Sequence, residues 1–434
     1  MAMRVPLGLH LYRAATTAAG PFVPLLLARR HKRGKEHGGR LNERRGFARI
    51  ARPEGPLIWL HCASVGELAS VLPLVERLCA RDVNVLVTSG TVTSSGLAEQ
   101  RLPRGAVHQF VPVDVRRFVR RFLAHWQPDL ALFVEQDLWP NMILEASARG
   151  VPMILVNARF SESSFKHWSY LRGTIASLLQ RFDLCLARTL IDAERLTALG
   201  APRIVTVGNL KLDVAAPPAD ETRLTALRDA IAMRPVIAAT STHAGEESAV
   251  IEAHRRLRGE FPGLLTIIAP RHPERGPGVI ELAGVARLRA QLRSRRQRPE
   301  SEIGIYVADT MGELGLIYRV APVVFIGGSL INHGGQNPIE AAKLGAAILH
   351  GPHVFNFAEI YAALDAAGGA ELVTDVDRLT AAYATCLRDP VACRRTAEIA
   401  RTTVESLGGA LERTLQSLEP YLMQLQLRGR KRHA

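Results

Sequence analysis

Cysteine is scarce in this chain: Cys62, Cys79, Cys185, Cys386 and Cys393 are five residues among 434, scattered and without Cys-x-x-Cys spacing. That excludes a disulfide framework and a thiolate zinc site, and reads as reduced core thiols. Acidic residues are nearly missing from both ends. Residues 1–52 hold 12 Lys/Arg against 2 acids, and the last seven, RGRKRHA, hold 4 against none, which together account for the net charge of +14. A nucleic-acid-binding core carries a basic face of its own, and the only internal candidate, Arg287 to Arg298 (RLRAQLRSRRQR), reads as a solvated helix face; no nucleic-acid partner is expected. A clean membrane span is lacking too. The one candidate, VPLGLHLYRAATTAAGPFVPLLLARR, is broken by His10, Arg13, three prolines and two glycines, and an arginine near the middle of a span costs roughly 2.5–3.5 kcal/mol. Each basic residue beside an anionic leaflet contributes about 1 kcal/mol, so Arg29, Arg30, Lys32, Arg33 and Lys35 favour an interfacial anchor facing the cytoplasm. A secretory signal is opposed by the short, broken apolar region and the basic residues after it.

What is present is a large globular chain, 47% hydrophobic and 22% charged, enough for two domains with cores of their own. β-rich runs (LIWLH, VNVLVT, LALFV, MILVN, DLCLA, RIVTV, then PVIAAT, LLTIIA, IGIYVA, PVVFIG) alternate with helical patterns, which predicts parallel sheets with helices on both faces. The stretch NLKLDVAAPPADET, residues 209–222, interrupts the periodicity with two prolines and reads as the linker. The fold class is therefore α/β: two doubly wound Rossmann-like domains facing across a cleft, with ligand loops at the strands' carboxyl ends.

Glu67 opens a helical pattern just after the LIWLH strand. With Ser64 it has capping-box spacing, in which the glutamate returns to the Ser64 N–H; beside the flexible Gly66 at a strand's carboxyl end it equally suits a general base. In the second half, ATSTHAGEE and GGSLINHGGQNPIEAAKLG each join a strand to a helix, where free N–H groups favour anions and Gly327, Gly328, Gly334 and Gly335 allow backbone contact with a phosphate. Gln336, Asn337 and Glu340 lie beside the second turn; Glu340 suits sugar hydroxyls, or simply the helix N terminus. Arg271 and His272 follow another strand, as a phosphate grip and a hydrogen-bond donor or as a solvated loop. Asp375 and Asp377 have diphosphate-metal spacing, but Asp377 reads as a helix cap. The pair His350 and His353 lacks a third ligand, so no metal site is expected.

In ASVGE (63–67), TSGTVTSSG (88–96), PVDV (112–115), EQDLWPN (135–141), NARFSESS (157–164), GNLKLD (208–213), RHPER (271–275), DTMGELGLIY (309–318), GGSL with HGGQNPIEAA (327–342) and GPHVFNF (351–357), the chain resembles the bacterial Kdo transferases of lipopolysaccharide synthesis. Those enzymes move 3-deoxy-D-manno-oct-2-ulosonic acid (Kdo) from CMP-Kdo to a lipid A precursor. The resemblance implies a GT-B fold and an inverting, metal-independent transfer with no cofactor beyond the donor substrate, at the cytoplasmic side of the inner membrane. It implies Glu67 as general base; Arg271, His272 and Pro273 near the donor phosphate; Met311, Gly312 and Glu313 near the nucleotide; and Asn337 and Glu340 near the nucleotide sugar. The expected division is a membrane-associated segment (1–50), an acceptor domain (51–212), a CMP-Kdo domain (213–410) and a C-terminal helix with a basic tail (411–434) that returns toward the first domain. The alternatives are another GT-B nucleotide-sugar enzyme, a UDP-sugar transferase or epimerase, and a non-catalytic protein binding an anionic membrane surface.

Overall fold

The structure, a computed structural model, describes residues 5–295 and 298–433, with the side chains of 428–433 excepted. The basic-tail expectation for residues 428–434 and the Arg296–Gln297 part of the arginine run thus lie outside the described side chains. Two compact units form, Met1–Val214 with Gly408–Ala434, and Ala215–Leu407. Their boundary falls inside the proline-bearing stretch 209–222.

The first unit holds a seven-stranded parallel sheet: β1 (Leu57–His61), β2 (Asn84–Ser89), β3 (Ala106–Phe110), β4 (Leu130–Val134), β5 (Met153–Ala158), β6 (Leu184–Ala187) and β7 (Ile204–Thr206), in the order β3-β2-β1-β4-β5-β6-β7. The second holds β8 (Val236–Thr242), β9 (Leu265–Pro270), β10 (Ala290–Leu292), β11 (Ile305–Val307), β12 (Val323–Ile326), β13 (Ala347–His350) and β14 (Ala370–Leu372), in the order β10-β11-β9-β8-β12-β13-β14. These are doubly wound orders, as the apolar runs predict, because strands without polar alternation are buried on both faces. All five residues of β1 and of β4 and all six of β5 are buried.

One face of the first sheet packs Trp59 and Phe133 against Val119, Phe122 and Trp126 of the helix Arg116–Trp126 and against Ile143 and Leu178. On the other, Leu68, Val71 and Val75 of the helix Val65–Cys79 share a cluster with Leu415, Leu418, Leu422 and Leu425 of the C-terminal helix. Asp213 fastens that helix by accepting the N–H groups of Gly409 and Leu411, each at 2.6 Å. The N-terminal segment forms two short helices, Leu7–Ala19 and Val23–Lys32, lying on this unit. Tyr12 donates to Asp114 at 2.9 Å, Arg13 pairs with Glu145 at 2.6 Å, and Val23 and Leu27 pack with Val115 and Phe118. Among the described residues no helix is long and apolar enough to cross a membrane.

Two readings of the sequence need correction. Among the described residues of Arg287 to Arg298 there is no helix face: the preceding helix ends at Val285, Arg287 turns the chain with φ 58°, and Ala290–Leu292 joins the sheet as β10. Arg293, far from solvated, is buried against Glu313. The cap of the helix Val376–Arg388 is Asp375, whose side chain accepts the Arg378 N–H at 2.9 Å, while Asp377 sits in the first turn and pairs with Arg256.

Leu418 is fully buried in the first unit's core. Leu418→Ala is therefore expected to cost about 2–5 kcal/mol. Hydrogen exchange read by mass spectrometry should show lost protection in β1–β7 and unchanged protection in β8–β14.

Candidate active site

In a doubly wound sheet the crevice lies where neighbouring strands connect in opposite directions. In the first unit that point is between β1 and β4. The chain leaves β1 and turns into the helix Val65–Cys79, where Ser64 Oγ accepts the Glu67 N–H at 3.3 Å. Glu67 Oε2 accepts the Ala63 N–H at 2.7 Å and Oε1 accepts the Ser64 hydroxyl at 2.9 Å. The reciprocal bond thus goes to Ala63 rather than to the Ser64 N–H that capping-box spacing predicts, because the carboxylate reaches one residue further back. Each oxygen keeps a lone pair. A Cβ on Gly66 would meet nothing within 4 Å, so the backbone just before Glu67 is uncrowded. Burial pushes the Glu67 carboxyl above its ordinary 4.5; the Ala63 and Ser64 bonds work against that, and the charges of Glu135 and Asp137 add to it.

Glu135 and Asp137 come from the carboxyl end of β4. Asp137 meets His61 Nε2 at 2.9 Å, and although burial opposes its ionisation, the bond and charge of His61 hold its carboxyl low. Glu135 takes φ 59°, and the Lys211 ammonium lies 2.9 Å from Oε1 without the direction of a hydrogen bond. Glu135 and Lys211 stand in the quoted EQDLWPN and GNLKLD motifs. Their pairing across 76 residues was invisible in sequence; the available signal was that both follow strands, β4 and β7.

In the second unit the switch point lies between β8 and β12. Its centre is Glu246, 1% exposed, which accepts four backbone N–H groups: His243 (2.9 Å) and Gly328 (2.7 Å) on Oε2, Ser329 (2.9 Å) and Leu330 (3.0 Å) on Oε1. The glycine-rich turn is therefore not the open cradle of free amides expected from its sequence, since an internal carboxylate occupies three of them. Gly327 answers to crowding instead: a Cβ there would stand 2.5 Å from the Ser241 carbonyl oxygen.

Around this turn stand His243, His272 and His333, with ring centroids 5.9 Å and 4.0 Å from His243. Burial, then the neighbouring His333, His272, Arg271 and Arg275, lower His243 to about 4, so it is neutral near pH 7. Arg275 is neutralised by buried Glu247 through two 3.1 Å bonds. Exposed Arg271, whose guanidinium has no protein partner among the described residues, is the cation left for a ligand. Pro273 opens the short turn that follows. Asn337, two residues before the helix Ile339–Lys343, accepts the Ile339 N–H at 3.0 Å and donates to Glu340 at 3.4 Å; burial raises the Glu340 carboxyl. Arg271 and His272 thus follow β9, and Asn337 and Glu340 lie in the segment after β12. The remaining residues lie after β11, next to β9. Met311 is 73% exposed, Gly312 has φ 78°, and Glu313 is engaged by Arg293 at 2.6 and 2.8 Å, by Arg223 and by Thr310, which hold its carboxyl at about 2. No group of three or more metal-ligating side chains stands together among the described residues, and His350 pairs with Asp365 at 2.9 Å.

Two doubly wound units with polar groups gathered at each switch point define a fold of the GT-B type. The crystal structure of UDP-GlcNAc 2-epimerase from Neisseria meningitidis bound to UDP-GlcNAc matches with TM-score 0.58 at 14% identity, covering 84% of this chain and 100% of that one, a likeness of fold alone. The chain belongs to the 3-deoxy-D-manno-octulosonic acid transferase (kdotransferase) family, whose sequence model matches residues 39–214. It is 35% identical over 433 residues to the 3-deoxy-D-manno-octulosonic acid transferase of Bordetella pertussis (96% of this chain, 100% of that one) and 32% identical over 392 residues to that of Haemophilus influenzae (88% and 91%).

Glu246→Gln would set an amide NH2 against two of the four N–H donors. At least about 2 kcal/mol should be lost from the second unit, with faster hydrogen exchange in residues 327–336 than in the first unit.

Proposed function

We propose that this protein transfers Kdo from CMP-Kdo to a lipid A precursor, with inversion at the anomeric carbon, at the cytoplasmic side of the inner membrane. The observation that carries the reading is family membership over nearly the full chain, with a half-buried glutamate at the switch point of the first sheet. The acceptor hydroxyl attacks the anomeric carbon as that carbon's bond to the CMP phosphate oxygen breaks. The hydroxyl proton goes to Glu67, and CMP leaves with the bonding electrons. A lipid hydroxyl is a poor nucleophile, so a carboxylate raised above its ordinary range suits the proton transfer.

In the second unit Arg271 supplies charge to the leaving phosphate, with His272 as a hydrogen-bond donor and Pro273 fixing the turn. Asn337 and Glu340 accept or donate to hydroxyls of the nucleotide sugar. Met311 and Gly312 form the loop tip against the nucleotide, and Glu313, saturated by Arg293 and Arg223, keeps that loop in shape. The N-terminal arm, with Leu7, Leu11, Phe22, Leu25 and Leu26 exposed, meets the membrane surface in which the lipid acceptor lies.

Glu67→Gln keeps the contacts with Ala63 and Ser64, since the amide oxygen accepts the N–H and the serine hydroxyl can accept from the amide nitrogen. Turnover should fall by about a hundredfold or more, with melting temperature and CMP-Kdo affinity nearly unchanged. Unchanged turnover where chemistry limits the rate would assign the base elsewhere. In the parent, kcat should rise with pH through a limb displaced upward from the ordinary carboxylate value of 4.5, because only ionised Glu67 accepts the proton.

A further inference from the structure

The helix Arg116–Trp126 begins with Arg116 and Arg117, adds Arg120 and Arg121 one turn later, and contains no acid. Cations at a helix N terminus oppose the macrodipole, and like charges four residues apart repel. A pattern kept against local preference marks a functional surface. Arg121 and Arg117 have ring partners, 3.9 Å over Phe47 and 4.8 Å over Phe118. Arg116 and Arg120 turn instead to Glu145, a buried carboxylate shared with Arg13 and Arg149. Arg13 and Arg116 reach Oε1 at 2.6 and 2.7 Å, and Arg149 and Arg120 reach Oε2 at 3.2 and 3.9 Å.

Four guanidinium groups meet one carboxylate, so the cluster keeps an excess of positive charge. Burial works against ionisation of Glu145, and Arg116, Arg149 and Arg13 outweigh it and hold the carboxyl low. The side chains of Arg13 and Arg149 are the inner pair, at 21% and 30% exposure; those of Arg116 and Arg120 are 49% and 59% exposed. Arg116 spends its Nε on Glu145, and the terminal nitrogens of both outer arginines have no protein partner among the described residues. Two outward guanidinium groups one helical turn apart, held from beneath by a carboxylate, match the planar, forked recognition of phosphate oxygens.

The neighbourhood identifies the bearer of that phosphate. Arg13 belongs to the N-terminal arm itself, and Gly20, between the arm's two helices, faces the Arg117 guanidinium. The arm's uncovered Leu7, Leu11, Phe22, Leu25 and Leu26 stand on the same short arm that Arg13 and Gly20 bring against these arginines. Apolar side chains beside uncompensated cations complement a lipid–water boundary, with alkyl chains for the one and headgroup phosphates for the other. We propose that Arg116 and Arg120, held by Glu145, form a phosphate-binding site for the headgroup of an anionic membrane lipid and seat the N-terminal arm on the bilayer. This rests on the reading, given above, that the arm meets the membrane.

The test is sedimentation of the full chain with phosphatidylcholine vesicles, with and without phosphatidylglycerol, across a range of salt. The parent should bind the anionic vesicles more tightly, and R116Q/R120Q should lose about thirtyfold in affinity and much of the salt dependence, with turnover on detergent-dispersed acceptor unchanged. Should the double variant not fold, Arg120→Gln alone, which stands furthest from Glu145, should lose about fivefold. Equal binding of variant and parent at every salt concentration overturns the proposal while leaving the arm's membrane contact standing. A parent that binds no vesicle overturns both. A variant with a raised KM for dispersed acceptor and undiminished vesicle binding also overturns it, and assigns the arginines to a phosphate on the acceptor.

Discussion

A parallel strand buried on both faces has no side chain free for chemistry along its length, and its carboxyl end is where polar groups become accessible. β1, β4, β5 and β6 of the first sheet and β8, β9 and β12 of the second are buried almost throughout. Accessible polar groups are thereby gathered in a few turns, and the switch points, β1 to β4 and β8 to β12, mark two of them. Both turns use a glutamate near the start of the following helix, and the two differ in saturation. Glu246 takes four N–H groups and is sealed into the fold, whereas Glu67 takes one N–H and one hydroxyl and remains half-buried with lone pairs to spend. The same chemical group is a structural rivet in one unit and a proton acceptor in the reading proposed for the other.

The strand ends also carry backbone strain. Glu135, Asn157 and Ser241 adopt φ of 59°, 53° and 55° at the ends of β4, β5 and β8, conformations that cost non-glycine residues about 1–3 kcal/mol each. Each is held by its surroundings. The Glu135 N–H donates to the Val156 carbonyl and the Asn157 side chain accepts the Leu210 N–H at 3.1 Å, while Ser241 lies in the register shift between Thr240 and Thr242, with its carbonyl oxygen against Gly327. The effect is to re-aim the chain at the places where the candidate ligand groups emerge.

Much of this was legible in sequence, since continuous apolar runs name buried parallel strands and the ASVGE turn follows one of them. Strands missed by that route have identifiable causes. β3, AVHQF, is an edge strand with polar His108 and Gln109, and β13, AILH, is too short to be told from helix by its pattern. Arginine spacing alone did not separate a solvated helix from the turn and edge strand around Arg287–Leu292, because both expose charge. Contacts between distant segments were the least legible. Nothing local announces that Glu246 closes the glycine-rich turn, that Lys211 approaches Glu135, or that Arg13, Arg116, Arg120 and Arg149 converge on Glu145.

The central claim, that these two switch-point sites carry out Kdo transfer to a lipid acceptor, is tested most directly by incubating the purified protein with CMP-Kdo and a tetraacylated lipid A precursor and weighing the products. The account predicts a lipid heavier by a whole number of Kdo residues, with an equal number of CMP molecules released. Unchanged lipid and intact CMP-Kdo, beside consumption of a UDP-sugar offered to the same preparation, would contradict it.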